Sequence, residues 1–352
     1  MLDKLLTLLR ERRLPWTIQN KLRLRKNRAA FNQRLAVTSP QAGKTIGLTI
    51  TFRCGFHGDS GGAIAIANLA TLLSEYHRVE FVSHPNSNFN PRLGGETVIV
   101  EEANLMSDVF VCDIACPHAF MRSVKNAGKR LVITAHGKLH SAHGMDVEHV
   151  VQSLALADHI HLVSEAQIES YGLEAGRYSV IANNTTPIQK TRRGRNVGTI
   201  GNLDDPDKNA AATVAVGEAS EAKSIQLWGT QNHDWGSGRV EAHGWESDKG
   251  RIYDSIDVLV FMSKEENCPM AVLESLSAGI PCVLSDIVAH RAFHDCPGVA
   301  LVDPNDPFSA AQHVNTFLNT ADELRDQIHT YWQENFSNET IRALWEQRIL
   351  RT

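Results

Sequence analysis

Two glutamates eight residues apart, Glu266 and Glu274, are the residues of this chain best suited to binding a polyol and reacting with it. An apolar run from Asp257 to Phe261 comes before Glu266 and predicts a buried strand. The helical segment that contains Glu274 stops at Gly279-Ile280-Pro281, and a second apolar strand, Ile280 to Leu284, follows. These elements make one βαβ unit, and in open α/β sheets ligands bind at the carboxyl ends of the strands. We therefore expect this stretch to form half of an active site.

The helix after the acidic loop begins at a proline. Pro269 suits the first helical position, where its missing amide is not needed. The amides of Met270 and Ala271 would then point at an anion, because a helix N-terminus offers unpaired donors and a partial positive charge. Glu266 and its neighbour Asn267 lie in the loop just before, within reach of a sugar. The alternative is a solvated acidic loop with a surface glutamate, but the apolar residues around the second glutamate argue against it.

A glycine-rich loop near the start of the chain offers a second anion site. It runs from Phe52 to Gly62, between a predicted strand, Thr45 to Thr51, and a predicted helix, Ala63 to Glu75. Gly61 and Gly62 end the loop, and no Gly-Lys-Ser/Thr follows, which excludes a Walker loop. Strand, glycine loop and helix in this order place backbone amides at the strand's carboxyl edge. The alternative is that the glycines only let the loop turn tightly.

The same loop contains a sequence pattern that belongs to another class of enzyme. Gly58 to Gly62 matches the nucleophile motif of trypsin-like serine proteases. Those proteases are all-β barrels whose histidine precedes the serine, whereas here a helical pattern follows at once and the similar segment, Thr134 to His136, comes later. We therefore exclude a protease.

Three histidines follow one predicted strand closely. His136, His140 and His143 have spacings that invite a metal site, but Gly137 and Gly144 argue against the continuous helix that would align them. Scattered surface histidines are the main alternative. We expect no metal, and we expect His136 alone, at the carboxyl end of its strand, to lie in a cleft between domains.

Composition limits the class of protein. A chain of 352 residues suits two domains of about 150 residues each. The net charge of −5 hides an asymmetry, since residues 1–44 contain eleven Lys/Arg and two Asp/Glu. The remainder is acidic, which excludes sequence-independent nucleic-acid binding. The six scattered cysteines indicate a reduced, cytoplasmic protein, and no apolar run is long enough to span a membrane.

The first 36 residues form a basic, amphipathic segment. Five leucines between Leu2 and Leu9 could make one apolar helix stripe, and a second segment, Thr17 to Val37, mixes apolar residues with Lys and Arg. This pattern is typical of a helix that lies on an anionic membrane surface. The alternative is a helical extension that packs on its own domain or on a second subunit.

From residue 45 onward, strand and helix patterns alternate, which predicts an α/β fold with two Rossmann-like domains facing each other across a cleft. The strands read as hydrophobic runs, as strands covered on both faces should. Residues 184–195 are polar and interrupted by proline, so we predict a linker there that acts as a hinge. The predicted parts are a basic helical extension and linker (1–44), an N-terminal Rossmann-like domain (45–190), a C-terminal Rossmann-like domain (191–335) and a C-terminal helix (336–352) that could cross back to the N-terminal domain.

The paired glutamates carry a family resemblance. Glu266 and Glu274, inside SKEENCPMAVLESLSAGIPCVLSD, are similar to the paired-glutamate motif of the family-four retaining glycosyltransferases of GT-B fold. The resemblance extends in order over residues 45–335. Its other segments are the Gly61-Gly62 loop, the strand ending in His136, VSEAQIES, VIANN at 180–184, GNLDDPDKN, SDIVAHRAF at 285–293 and VDPND at 302–306.

The resemblance implies roles for residues of the C-terminal domain. Glu274 would hold the ribose hydroxyls of a nucleotide-sugar donor, and Glu266 would face the donor sugar, with Asn267 as a further donor-binding residue. The amides of Met270 and Ala271 would bind the distal phosphate. Lys208 matches the family's phosphate-binding lysine.

It implies roles in the N-terminal domain as well. Gly61 and Gly62 would let the backbone approach the diphosphate and the acceptor, and His136 would sit beside the transferred sugar. One residue departs from the family pattern: the arginine expected just after Gly201 is here Asn202. The diphosphate site therefore lacks one cation.

The expected function is that of a retaining glycosyltransferase without metal or cofactor. It would transfer a sugar from a nucleotide-diphosphate sugar to a saccharide or lipid-linked saccharide, in cell-surface polysaccharide or glycolipid biosynthesis. Its expected location is the cytoplasm, with a peripheral position on the inner face of the membrane through residues 1–36. Two alternatives are an inactive GT-B-like binding or scaffold protein and a nucleotide-sugar epimerase of related fold.

Overall fold

The computed structural model describes residues 16–34, 47–55, 61–137, 146–233, 235 and 238–351. These residues form two compact α/β units, each built on its own parallel sheet. The first unit takes its described residues from 16–163, 167–181 and 342–351, and the second from 164–166 and 182–341. Neither unit is one continuous stretch of chain.

Seven parallel strands form the sheet of the first unit. They are β1 (Thr49–Arg53), β2 (Arg78–Val82), β3 (Val98–Val100), β4 (Val109–Asp113), β5 (Arg130–Ala135), β6 (His159–Leu162) and β7 (Tyr178–Val180). Their order is β3-β2-β1-β4-β5-β6-β7. Every residue of β4 and all but the first of β5 are buried, which explains why these strands are continuous apolar runs.

The described residues of the N-terminal half of the chain contain five helices. They are α1 (Trp16–Arg34), α2 (Gly61–Leu73), α3 (His118–Asn126), α4 (Val147–Leu156) and α5 (Ala166–Tyr171). Eight of the thirteen residues of α2 are buried, because its Ala, Ile and Leu side chains cover most of its circumference. A helix at this place, between strands of a parallel sheet, agrees with the exclusion of a protease.

Helix α1 packs on the first unit. The side chain of Phe31 is 2% exposed, and buried Asn27 donates to the carbonyl oxygen of Asn86 at 2.9 Å. Arg34 donates to the carbonyl oxygen of Gly94 at 3.2 Å. This is the packing that was one of the two interpretations of the basic segment, of which residues 1–15 and 35–36 lie outside the described residues. The exposed basic residues of α1 are Lys21, Arg23, Arg25, Lys26 and Arg28.

Six parallel strands form the sheet of the second unit. They are β8 (Asn196–Asn202), β9 (Ser224–Thr230), β10 (Val240–Gly244), β11 (Val258–Phe261), β12 (Cys282–Ser285) and β13 (Val299–Val302). Their order is β10-β9-β8-β11-β12-β13. All residues of β11 and β12 are buried, so the loop after β11 starts from the rigid middle of the sheet.

In the C-terminal half, the residues that the structure describes form five helices and three shorter helical turns. The helices are α6 (Ala210–Ala219), α7 (Lys249–Asp254), α8 (Met270–Ser277), α9 (Pro307–Phe336) and α10 (Asn338–Trp345). The turns are 3₁₀ turns at Pro206–Lys208 and His290–Phe293 and a π turn at Glu346–Leu350. Helix α9 runs for 30 residues because no glycine or proline interrupts it after its first residue.

The segment predicted as a linker is anchored in the second unit. Ile188 belongs to that unit's core, and Lys190 forms an ion pair with Asp257 at 3.2 Å that is almost fully buried. Lys190 also donates to the carbonyl oxygen of Ile256 at 2.7 Å. The units therefore divide between residues 181 and 182, whereas the sequence predicted a boundary after residue 190.

No described helix combines the length and the apolar character that crossing a membrane requires.

Candidate functional site

The loop that joins β11 to α8 carries Glu266 and Asn267, both partly buried. Asn183, from the VIANN segment, holds this loop through two hydrogen bonds. Its backbone amide donates to Sγ of Cys268 at 3.4 Å, and its Nδ2 donates to the carbonyl oxygen of Cys268 at 3.1 Å. Strand β11 thus holds the start of the loop, and Asn183 holds its end.

Helix α8 begins at Met270, one residue after the predicted start at Pro269. Pro269 has an extended backbone (φ −68°, ψ 115°) and no side-chain cap. The amide of Val272 makes the first intrahelical hydrogen bond, to the carbonyl oxygen of Pro269 at 3.1 Å. The amides of Met270 and Ala271 come before that bond, and no acidic residue lies in the first turn. This end of α8 can therefore attract an anion.

Lys208 is brought to Glu266 by a short turn. Its Nζ lies 2.5 Å from Oε1 of Glu266. The carboxylate of Asp205 caps the turn by accepting from the amide of Asp207 at 3.0 Å. The carbonyl oxygen of Asp207 accepts from the amide of Lys264, in the loop after β11, at 2.7 Å. A backbone hydrogen bond therefore joins the turn to the loop, in addition to the ion pair between Lys208 and Glu266.

Glu274 has two partners on α7. Lys249 Nζ lies 2.6 Å from Oε1 of Glu274, and the hydroxyl of Tyr253 donates to Oε2 at 2.7 Å. Glu274 is 8% exposed and Tyr253 is fully buried. Burial and then the charge of Glu274 raise the pKa of Tyr253 well above its ordinary value, so the phenol keeps its proton. The carboxylate is therefore held in one orientation, with its charge compensated.

Sequence reasoning missed Lys249 and Tyr253. Their spacing of four places them on one face of a helix, which was a usable signal. Nothing in the spacing says which residue that face would meet. The apolar surroundings of Glu274 did indicate that the glutamate needs a partner.

Asn202 ends β8 and is exposed. Its carbonyl oxygen accepts from the amide of Asp205 at 3.1 Å, so its backbone helps to form the turn that carries Lys208. Among the described residues, Lys208 is the one basic side chain in an ion pair with Glu266. Asn202 supplies no positive charge there.

Gly61 and Gly62 are the first two residues of α2 in the first unit. A Cβ placed on Gly61 would meet no described atom within 4 Å. At Gly55, by contrast, a Cβ would lie 2.2 Å from the carbonyl oxygen of Ala115. The described part of the protein therefore requires glycine at position 55 and does not require it at position 61. Glycine within a helix costs up to about 1 kcal/mol of stability relative to alanine, so Gly61 lowers the stability of α2 without a packing reason among the described residues. The loop residues 56–60 lie outside the described residues.

His136 follows the last residue of β5. The backbone on both sides of it is held by Gln167, whose Nε2 donates to the carbonyl oxygens of Ala135 at 2.9 Å and Gly137 at 2.8 Å. The hydroxyl of Tyr171 also donates to Gly137, at 2.6 Å. Burial lowers the pKa of His136 to about 4, so its imidazole is neutral at neutral pH.

The described residues contain no group of three or more His, Cys, Asp or Glu side chains that could hold a metal ion. His140 and His143, the other two histidines of the predicted cluster, lie outside those residues. The proposed absence of a metal thus stays a prediction.

A family comparison matches part of the chain. Residues 197–320, which include the loop after β11 and helix α8, match the family described as Glycosyl transferases group 1. A search of curated proteins found no match.

Solved structures of similar fold cover most of the chain. HepE from Anabaena, in complex with UDP and glucose, has a TM-score of 0.68 at 14% identity and covers 87% of this chain and all of its own. Sucrose-phosphate synthase from Thermosynechococcus elongatus has a TM-score of 0.66 at 15% identity, with 87% and 100% covered. The lipopolysaccharide outer core galactosyltransferase WaaB has a TM-score of 0.60 at 18% identity, with 86% and 99% covered.

The two parallel sheets and these similarities confirm the predicted fold class, a pair of Rossmann-like domains of the GT-B type. The family match over residues 197–320 supports a glycosyltransferase.

Proposed function

We propose that the protein is a retaining, metal-independent glycosyltransferase. It transfers a sugar from a nucleotide-diphosphate sugar to a saccharide or lipid-linked saccharide. The observation that carries the proposal is the pair of lysine-compensated glutamates on either side of the α8 N-terminus, Glu266 with Lys208 and Glu274 with Lys249, inside the segment that matches the glycosyltransferase family.

In this proposal the second unit binds the nucleotide diphosphate. The carboxylate of Glu274, oriented by Lys249 and Tyr253, accepts hydrogen bonds from the ribose hydroxyls. The amides of Met270 and Ala271 bind the distal phosphate. Lys208 exchanges the carboxylate of Glu266 for a phosphate oxygen, which leaves that carboxylate for the hydroxyls of the sugar. A helix end and an ammonium together stabilise the charge that develops on the leaving diphosphate.

The first unit supplies the sugar and acceptor side. His136 lies beside the transferred sugar, and Gly61 and Gly62 let the backbone approach the acceptor. The acceptor hydroxyl attacks the anomeric carbon on the face that the diphosphate leaves. One C–O bond forms as the bond to the phosphate oxygen breaks, and the hydroxyl proton passes to the departing phosphate. No residue acts as a covalent nucleophile.

Donor binding followed by turnover tests the proposal. Thermal-shift assays with UDP-, GDP-, ADP- and CMP-sugars identify the donor, because a ligand that binds the folded state raises its stability. Hydrolysis and transfer of the radiolabelled donor are then measured for wild type, Glu266→Ala and Glu334→Ala. Glu334 is an exposed glutamate on α9 and serves as the matched control.

We expect Glu266→Ala to abolish turnover and Glu334→Ala to keep it. A wild-type protein no more active than Glu266→Ala would contradict the enzyme proposal. Product NMR must show the donor's anomeric configuration, and EDTA must leave the rate unchanged.

Asn202 favours a second candidate, an inactive binding or scaffold protein of the same fold, because the diphosphate site has one cation fewer. This candidate predicts nucleotide-sugar binding in the thermal-shift assay with no turnover of any donor. An epimerase would instead release a free epimer of the sugar without an acceptor.

We also propose that the exposed basic residues of α1 bring the protein to an anionic membrane surface, on the cytoplasmic face, where surface polysaccharide or glycolipid is made. The face of α1 that includes Phe31 is already buried, so the contact is electrostatic. Replacing Lys21, Arg23, Arg25 and Lys26 by Gln leaves the packed face intact. Co-sedimentation with phosphatidylglycerol vesicles should fall for this variant, and unchanged binding would contradict the proposal.

A further inference from the structure

A buried histidine, His161, lies behind His136 in the first unit. It is 2% exposed, and the edge of its ring packs against Trp345, with ring centroids 4.6 Å apart. Its Nε2 lies 2.8 Å from the carbonyl oxygen of Ile181, and its Nδ1 lies 2.8 Å from Oγ1 of Thr134. Burial lowers the pKa of His161 to about 3, so this imidazole carries one proton.

The carbonyl oxygen decides where that proton is. A carbonyl can only accept, so Nε2 of His161 carries the hydrogen and Nδ1 of the same ring must accept. The hydroxyl of Thr134, 1% exposed, therefore donates its single hydrogen to His161 Nδ1.

Thr134 then determines the state of His136. Its Oγ1 lies 3.2 Å from Nε2 of His136, and its hydrogen is already used. The oxygen can only accept from that nitrogen, so Nε2 of His136 carries the hydrogen. In a neutral imidazole the other nitrogen, Nδ1, then has a lone pair and acts as an acceptor.

We propose that Thr134 and His161 are positioning residues, which fix His136 as the tautomer with hydrogen on Nε2 and a hydrogen-bond acceptor at Nδ1. The relay runs from the carbonyl oxygen of Ile181 through His161 and Thr134 to His136. It rests on the proposed function only for its purpose, which is to give His136 an acceptor nitrogen on the side of the ring away from Thr134. A group that has no hydrogen to give, such as a carboxylate, does not fit this nitrogen.

The tautomer can be measured without substrate. Two-bond ¹H–¹⁵N spectra of ¹⁵N-histidine protein distinguish the protonated from the unprotonated ring nitrogen, and the His136→Gln spectrum identifies the His136 signals among the sixteen histidines. We expect the wild type to show hydrogen on Nε2 of both His136 and His161. Hydrogen on Nδ1 of His136 would overturn the proposal, whether or not the protein is an enzyme.

Variants of Thr134 test the relay itself. Thr134→Val removes the hydroxyl at nearly constant volume and should give a mixture of His136 tautomers, whereas Thr134→Ser keeps the hydroxyl and should keep the wild-type pattern. Thr51→Val is the matched control, because Thr51 is a fully buried threonine of the same sheet whose hydroxyl bonds to Ser107 at 2.8 Å. It should lower stability without changing the His136 signals.

Turnover gives a second measurement. With the donor found above, Thr134→Val should lower kcat/KM about fivefold to tenfold relative to Thr51→Val, since a typical hydrogen bond contributes about 1 kcal/mol. Thr134→Ser should restore it. Equal kcat/KM and equal spectra for Thr134→Val and Thr51→Val would overturn the relay. The wild-type tautomer with no turnover of any donor would leave the relay standing and contradict the proposed function instead.

Discussion

The two units solve the positioning of a polar side chain in opposite ways. In the second unit, Glu266 and Glu274 each form an ion pair with a lysine side chain. In the first unit, His136 is neutral and is oriented by neutral hydrogen bonds from the strands and helix around it. The difference agrees with the proposed function, in which the second unit binds a charged nucleotide diphosphate and the first unit binds uncharged sugar hydroxyls.

The lysines of the second unit can exchange one anionic partner for another, whereas the neutral hydrogen bonds of the first unit cannot be exchanged in this way. An ammonium can leave a carboxylate for a phosphate at little cost, because both are anions. A buried hydrogen-bond relay has no such substitute, since a donor or acceptor left without a partner costs about 1–3 kcal/mol. The comparison predicts that substitutions in the second unit act mainly on binding and transition-state charge, and those in the first unit mainly on orientation.

The largest effect is expected for the lysine at Glu266. Lys208→Ala should lower kcat/KM by about 100- to 1,000-fold, as loss of one preorganised donor to a developing charge does in other enzymes. Lys264→Ala is the control, because Lys264 touches the same turn through its backbone amide and its side chain is exposed. Steady-state kinetics with the identified donor measure kcat/KM for the two variants. Equal losses of kcat/KM would contradict a role for Lys208 in stabilising the diphosphate.

A smaller effect is expected at Glu274. Tyr253→Phe removes the hydroxyl that orients the carboxylate and should lower the free energy of unfolding by about 1–3 kcal/mol and weaken nucleotide binding. Tyr331→Phe, which removes a hydroxyl bonded to the carbonyl oxygen of Ala292, should lower stability slightly and leave binding unchanged. Urea unfolding and calorimetric titration measure the two quantities, and equal nucleotide affinity in both variants would contradict the ribose role.

The stability of the two units should respond differently to acid, because the units differ in their buried histidines. Burial lowers the pKa of His136 to about 4 and of His161 to about 3 in the first unit, and of His290 to about 4 in the second. The folded state keeps these rings neutral, while the unfolded chain takes up protons below pH 6.5. Their stabilisation is thus complete above pH 6.5 and is lost as the pH falls toward 4, by up to about 1.4 kcal/mol per pH unit for each histidine.

The first unit has two histidines with a pKa lowered to about 4 or below and the second has one, so the first should lose stability faster between pH 6.5 and 5. Peptide-resolved hydrogen exchange at the two pH values, corrected for intrinsic exchange rates, measures each unit by itself. A second unit that loosens as much as the first would contradict the assignment of the neutral relay to one side.

The smallest effect is expected from restoring a cation. Asn202→Arg places a guanidinium at the exposed end of β8 and should tighten nucleotide-diphosphate binding about twofold to fivefold, since exposed ion pairs contribute up to about 1 kcal/mol. Asn202→Gln adds length without charge and should change nothing. If calorimetry gives both variants the wild-type affinity, the diphosphate does not lie near Asn202.

Much of the fold could be predicted from the sequence because its strands are covered on both faces. Strand β11 was predicted from Asp257 to Phe261 and lies at Val258–Phe261. Strand β12 was predicted from Ile280 to Leu284 and lies at Cys282–Ser285. Strand β1 was predicted to end at Thr51, yet it continues to Arg53, whose backbone still pairs with Val82. Backbone pairing between strands can extend beyond the apolar residues from which a strand is predicted.

The site was predictable only along one stretch of chain. The positions of Glu266, Pro269 and Glu274 follow from strand and helix signals that lie within ten residues of one another. Lys249 and Thr134 were not identified, because their roles depend on side chains that reach them from other elements. Spacing along the chain carries no information about such partners until the sheet order is known.

The predicted boundary after residue 190 differs from the point at which the two units divide for a related reason. Residues 184–195 are polar on average, which is what a linker pattern measures. A single buried ion pair, between Lys190 and Asp257, and one apolar anchor, Ile188, are enough to attach the first half of that segment to the second unit. Average polarity does not reveal individual anchors.

The last residues of the chain complete the first unit, and this affects the order of events during synthesis. Trp345 is fully buried against His161, Ile349 is also fully buried, and the carbonyl oxygen of Leu350 accepts from Arg130 at 3.4 Å. A ribosome therefore releases every residue of the second unit before it releases the segment that closes the first. The first unit therefore cannot complete its fold until the whole second unit has been synthesised, and until then the relay behind His136 lacks the ring that covers it.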